Sequence, residues 1–165
     1  MNDVHETIET VAIYRLLARY TLAIDARDPV AWAACFTEDG AFVSGDLQLR
    51  GRAKLRAYAE VHARLGTRHV TSSPLYAVAE DGLVATGQAT TVVFAASPKG
   101  YVTIFAGLYE DLLVKIDGTW LIQRRVTTPT TIPDRPDLMV HVADPDVAEL
   151  VQPLLDAWNR LGEPA

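Results

Sequence analysis

Two side chains in this sequence have the chemistry of a proton shuttle. Asp25 ends a stretch with helical spacing, and His69 stands early in a stretch rich in strand formers. A carboxylate that meets an imidazole in an apolar pocket fixes the ring's tautomer and stabilises its charged form. The imidazole then takes a proton from carbon and later returns it to a leaving oxygen. The residue types alone also fit blander roles. Asp25 is followed by Arg27 and Asp28 and reads equally as a solvated helix end, His69 as a hydrogen-bonded strand histidine, and Tyr20 as core.

Other chemistries find no support in the spacing. The four histidines, His5, His62, His69 and His141, form no helical i, i+4 ligand pair and no cluster with the single cysteine, Cys35. There is no Gly-rich phosphate loop and no G-x-S-x-G elbow. Neither a metal nor another cofactor is expected. His62 and His141 are expected at the surface or in packing, and His5 near a fraying end. One cysteine permits no intrachain disulfide.

The charge balance narrows the partners. Against 15 Lys and Arg stand 21 Asp and Glu, a net charge of -6. Nucleic acid needs a basic patch, and an anionic membrane needs a polybasic run; neither is present. Met1 to Glu6 is acidic and lacks an apolar signal core, and the nearly uncharged stretch from Gly82 to Lys99 reads as strand. The expectation is a cytoplasmic protein that acts on something small or on another protein.

The elements that must hold Asp25 and His69 follow from periodicity. Val4 to Ala26 reads as a helix, with Ile13, Leu16, Leu17, Tyr20 and Ile24 on one side. Asp28-Pro29 caps a short second helix over Val30 to Phe36, which Asp39-Gly40 closes with a turn. Ala41 to Ser44 and Leu47 to Arg50 form a small hairpin, and Gly51 to Leu65 a third helix. Arg68 to Glu80, Leu83 to Ala96, Tyr101 to Lys115 and Thr119 to Thr128 read as an antiparallel meander. Helices followed by a long curved sheet make an α+β domain over residues 1–130. Residues 131–165 form an extension. An irregular stretch with Pro129, Pro133 and Pro136 leads to a cap at Asp144-Pro145 and an apolar helical stripe from Val147 to Leu161, which Pro153 is expected to kink or split.

Five segments in this order resemble the SnoaL-like branch of the NTF2-like superfamily. They are Tyr20-Thr-Leu-Ala-Ile-Asp25-Ala-Arg-Asp28, Trp32-Ala-Ala-Cys-Phe36-Thr-Glu-Asp39-Gly40-Ala-Phe42, Arg68-His69-Val-Thr, Tyr109-Glu-Asp111, and Asp117-Gly118-Thr-Trp120-Leu-Ile-Gln-Arg124-Arg125. The resemblance implies a cone, a curved mixed or antiparallel sheet wrapped by three N-terminal helices around a deep apolar pocket. It also implies a homodimer or higher homo-oligomer, since many members pair through the open sheet face. Asp25 and His69 match the dyad of scytalone dehydratase, bile-acid dehydratase and a dehydrochlorinase, and Tyr20 matches a pocket tyrosine of the bile-acid dehydratase-like members. On that footing Tyr20 donates a hydrogen bond to a substrate oxygen. Trp32, Phe36, Phe42, Tyr58, Thr71 and Ser73 line the pocket, Thr71 and Ser73 by alternation from His69.

The pattern departs from the family in two places. Many such sequences carry Asn where Ser73 stands, and the ketosteroid-isomerase base would fall near Ser44, where there is no acid. Asp111 reads as a pocket liner or as part of a solvated strand. Of Arg124 and Arg125, at most one reaches the pocket, and the commoner reading is a surface cation. The reading is a cofactor-independent dehydratase, isomerase or cyclase for an apolar small molecule such as a polyketide, steroid or terpenoid. Its rival is a non-catalytic binding or assembly module of the same fold, such as a dioxygenase small subunit, since a fold does not fix a function.

Overall fold

A computed structural model describes residues 3–130 and 145–165. The first helix, α1, spans Asp3–Asp25, and Ile13, Leu16, Tyr20 and Ile24 of its apolar stripe are buried. It ends beside Arg27, whose φ of 63° turns the chain. The Asp28 side chain then accepts a hydrogen bond from Ala31 N–H and caps α2, Pro29–Ala33.

Helix α2 is shorter than its apolar pattern suggests. Phe36 already belongs to β1, Phe36–Ser44, and Asp39-Gly40 lies inside that strand rather than in a turn after a helix. The register slips between Phe36 and Ala41. At Gly40 a Cβ would lie 2.9 Å from Ile122 O and 3.0 Å from Phe36 Cβ. Glycine is therefore required by a bulged strand that presses on its neighbour.

Strand β2, Leu47–Arg50, pairs antiparallel with β1, and α3 follows at Arg52–His62. The meander is β3 (Thr67–Val78), β4 (Val84–Ser97), β5 (Gly100–Ile116) and β6 (Thr119–Pro129). A closing helix α4, Pro145–Leu161, and a two-residue strand β7, Glu163–Pro164, end the chain. The strand order is β3-β4-β5-β6-β1-β2-β7 in one unclosed sheet, with β1 parallel to β6 and the other pairs antiparallel. This is the expected α+β architecture, a curved sheet with helices laid over its inner face.

Helix α4 is continuous through Pro153. Val147 and Val151 before the proline pack with Leu65, Val93 and Ile104, and Trp158 and Leu161 after it pack on the main core. With apolar contacts on both sides of the missing N–H, the helix is not split there. The expectations that Met139 and Val140 contribute to a lid, that His141 lies at the surface or in packing and that Asp144 caps the last helix all fall outside the described residues. Among those described, no helix is long and apolar enough to cross a membrane.

One strand carries a local correction. Alternation from His69 would carry Ser73 to the inner face, but β3 bulges between Ser72 and Leu75, and Ser73 sits at φ 49°. Ser73 is exposed, so it does not share His69's surroundings. Thr71 is half-buried, with its hydroxyl 3.4 Å from that of Thr21 on α1.

Candidate active site

Helix α1 ends where β3 begins its course beneath it, and this brings Asp25 to His69. Asp25 Oδ1 lies 2.7 Å from His69 Nδ1, and Asp25 Oδ2 accepts the backbone N–H of the same residue at 2.9 Å. Both side chains are largely buried, His69 at 6% exposure and Asp25 at 14%. Burial raises the Asp25 carboxyl, but the hydrogen bonds from the His69 ring and backbone outweigh it and hold Asp25 below its ordinary value. A carboxylate at Nδ1 places the donated proton on that nitrogen and leaves Nε2 with its lone pair.

The His69 ring lines a cavity of about 240 Å³ between the inner sheet face and α1, α2, α3 and α4. Tyr20, Trp32, Phe42 and Tyr58, all expected there, line it. Phe36 and Thr71 are not among the lining residues. Phe36 is buried behind the wall, 5.2 Å centroid to centroid from Trp32 and 6.0 Å from Tyr20. Trp158 of α4 completes the aromatic wall, 5.7 Å from Phe42 and 5.5 Å from Tyr58. Among the described residues, none that lines the cavity is Asp, Glu, Lys or Arg.

Two groups that the sequence pattern places at the surface or in packing, or leaves open, prove central to the geometry of the site. His62, at the end of α3, is 6% exposed and lines the cavity next to His69. Burial first, and then the neighbouring His69, push its imidazole down to about 3, so it is neutral at physiological pH. Its Nδ1 finds no hydrogen-bond partner among the described residues. The available signal was its place one turn after Tyr58 on the apolar face of α3.

The second group lies beneath the cavity floor. Asp111 and Arg125 are register partners on β5 and β6, and both are buried. Arg125 Nε and Nη2 donate to the two carboxylate oxygens, each at 2.7 Å. Tyr76 O–H donates to the same carboxylate. The guanidinium is sandwiched between the rings of Tyr20 and Tyr109, 4.2 and 4.1 Å from their centroids. This replaces the surface reading of Arg125, while Arg124 is exposed. Burial opposes the charge of Arg125, yet Asp111 holds it fully protonated. Burial, reinforced by Tyr109, raises the Tyr20 phenol well above its ordinary range, so Tyr20 remains a donor.

The SnoaL-like domain family matches residues 6–126 of this sequence. A protein of unknown function from Mycobacterium tuberculosis, solved as an aspartate-to-asparagine variant, is 44% identical over 99% of this chain and 97% of its own, with a TM-score of 0.92. A candidate scytalone dehydratase from Novosphingobium aromaticivorans is 25% identical over 79% of this chain and 89% of its own, with a TM-score of 0.72. An NTF2-like protein with a cystatin-like fold from the same organism has a TM-score of 0.72 at 20% identity, over 83% of this chain and 92% of its own, a likeness of fold. No curated protein matches the chain significantly.

Proposed function

The chain belongs to the SnoaL-like family, and on that basis we propose that it is a cofactor-independent acid–base enzyme for an apolar small molecule bearing a carbonyl or hydroxyl. The observation that carries this reading is the buried 2.7 Å contact between Asp25 and the Nδ1 of His69 at the wall of a largely apolar cavity.

In this reading Asp25 orients the ring, and His69 Nε2 removes a proton from the carbon next to the substrate's carbonyl. Asp25 stabilises the imidazolium that forms. Tyr20 donates to the oxygen on which negative charge develops, with the Arg125 guanidinium behind its ring. Return of the proton to another carbon gives isomerisation, and its delivery to a β-hydroxyl gives dehydration. His62 stays neutral and offers a hydrogen bond without competing for the proton. We further propose that the protein self-associates through the outer sheet face, where Val70 and Leu75 are exposed.

Deuterium exchange next to the carbonyl of a neutral two-ring ketone, followed by NMR in heavy water, tests the proton step whatever the native substrate. The enzyme should accelerate exchange, and His69→Ala should lower the rate by about 10²–10⁴. Asp25→Asn should lower it with ligand binding retained. Exchange no faster than in buffer, or unaffected by His69→Ala, would return the protein to the rival reading of a binding module.

A further inference from the structure

His62 and His69 are neighbours in the cavity wall, with ring centres 5.4 Å apart, and they offer it opposite hydrogen-bonding character. In His69 the Asp25 carboxylate holds the proton on Nδ1, so Nε2 presents a lone pair. His62 has no such partner. Its Nδ1 is sealed and unpaired among the described residues. Its Nε2 makes no hydrogen bond to a described residue either, yet it is not sealed, so it is the nitrogen that the ring presents to the cavity it lines.

The proton of His62 can be placed from this. A buried N–H with nowhere to donate is rarer in folded proteins than a buried acceptor left unpaired. Burial pushes the imidazole down to about 3, so the ring carries one proton and not two. That proton sits on Nε2, where a group in the cavity can accept it, and the lone pair sits on Nδ1.

We propose that the two histidines form a hydroxyl site, in which one substrate oxygen accepts from His62 Nε2–H and donates to His69 Nε2. The reach is adequate. Two hydrogen bonds of about 2.9 Å span up to about 5.8 Å, and the ring centres are 5.4 Å apart. The match is also selective. A hydroxyl both donates and accepts, whereas a carbonyl or ether oxygen only accepts and leaves the His69 lone pair unmet. A carboxylate or phosphate would face that lone pair too, with no Lys or Arg on the described lining to offset its desolvation.

This deepens the acid–base reading, and the hydroxyl site itself rests on it only for the cavity being the ligand site. The substrate it names is a β-hydroxy ketone, because the hydroxyl must lie beside the carbon that His69 deprotonates. The proton that Nε2 takes from that carbon passes to the hydroxyl oxygen. The C–O bond breaks as the C=C bond forms, water leaves, and His62 keeps its own proton. Of the reactions open to the dyad, this selects dehydration.

A matched pair of two-ring ketones tests the site by calorimetry. Both carry two methyl groups on the carbon next to the carbonyl, so neither has a proton there for His69 to remove. Only one carries a hydroxyl on the following carbon. The wild type should bind the hydroxy ketone roughly three- to tenfold more tightly, the value of one buried hydrogen bond. His62→Phe should keep affinity for the plain ketone and lose the preference, and His62→Gln, which retains an N–H donor, should keep part of it. In the wild type the hydroxy ketone alone should shift the nitrogen resonance of His62 Nε2, a readout that does not depend on a variant folding. Equal affinities in the wild type, as a tightly held bridging water would give, overturn the proposal. So does a preference that survives His62→Phe, or failure of both ketones to bind. A preference that depends on His62, together with deuterium exchange that His69→Ala leaves unchanged, would sink the acid–base reading and leave the hydroxyl site standing.

Discussion

The imidazoles of His62 and His69 lie 5.4 Å apart with 34° between their planes, yet only His69 is paired with a carboxylate. Burial and the neighbouring ring push His62 from 6.5 down to about 3. Between those values the unfolded chain binds a proton that the folded chain refuses. The contribution of His62 to stability is therefore complete above about 6.5 and lost as the pH falls. Unfolding in urea should show the protein less stable at about pH 5 than at about pH 7.5, by at most about 2 kcal/mol. His62→Leu should flatten that difference. Asp25, held below its ordinary carboxylate value, acts in the same direction but only at lower pH.

Arg125 and Asp111 are 1% and 0% exposed. Removing one partner strands the other charge in the core. Arg125→Met should destabilise by about 3–5 kcal/mol, whereas Arg125→Met with Asp111→Leu should recover much of the loss. Denaturant melts of the two single variants and the double variant check this. A double variant no more stable than the singles would mean that the pair is needed for something other than mutual neutralisation.

Gly87 on β4 faces Tyr76 across the bulge of β3, and a Cβ there would fall 2.2 Å from Leu75 O and 2.6 Å from Tyr76 Cδ1. Backbone cannot give way as a flexible side chain would. Gly87→Ala should lower stability by about 1–3 kcal/mol, seen as a reduced Tm, and should loosen the Tyr76 contact with Asp111.

Trp32 and Trp158 line the cavity, and Trp120 is tied to Glu9 away from it. Ligand binding should change the emission of the first two. A variant with both Trp32→Phe and Trp158→Phe should still fluoresce through Trp120 and should show little response to ligand. A response of undiminished size in that variant would place the ligand elsewhere.

The cone and the pairing of Asp25 with His69 are legible through the resemblance of five ordered segments to the SnoaL-like branch, whereas local pattern alone, a helical stripe ending in an acid and a strand opening on an imidazole, fits a solvated helix end and a strand histidine equally well. The remaining features depend on register. Asp111 and Arg125 are flanked by Glu110 and Arg124, which give both strands a surface character, and only the pairing of β5 with β6 shows that the inner members meet. Phe36 reads as helical because its spacing from Trp32 is helical, whereas the bulge in β1 is set by contact with β6. His62 stands on the apolar face of α3, but its neutrality is a product of the cavity around it.

The bulge at Ser73 changes which residues of β3 point inward. Before it, odd-numbered His69 and Thr71 are the half-buried residues; after it, even-numbered Tyr76 and Val78 are. One extra residue thus acts as a parity switch, letting a single strand serve the cavity with one half and the ion pair beneath the floor with the other. Deletion of that residue would turn Tyr76 outward and leave His69 in place. In an evolving lineage, the cavity wall and its buried foundation could therefore be re-phased independently by a one-residue insertion or deletion.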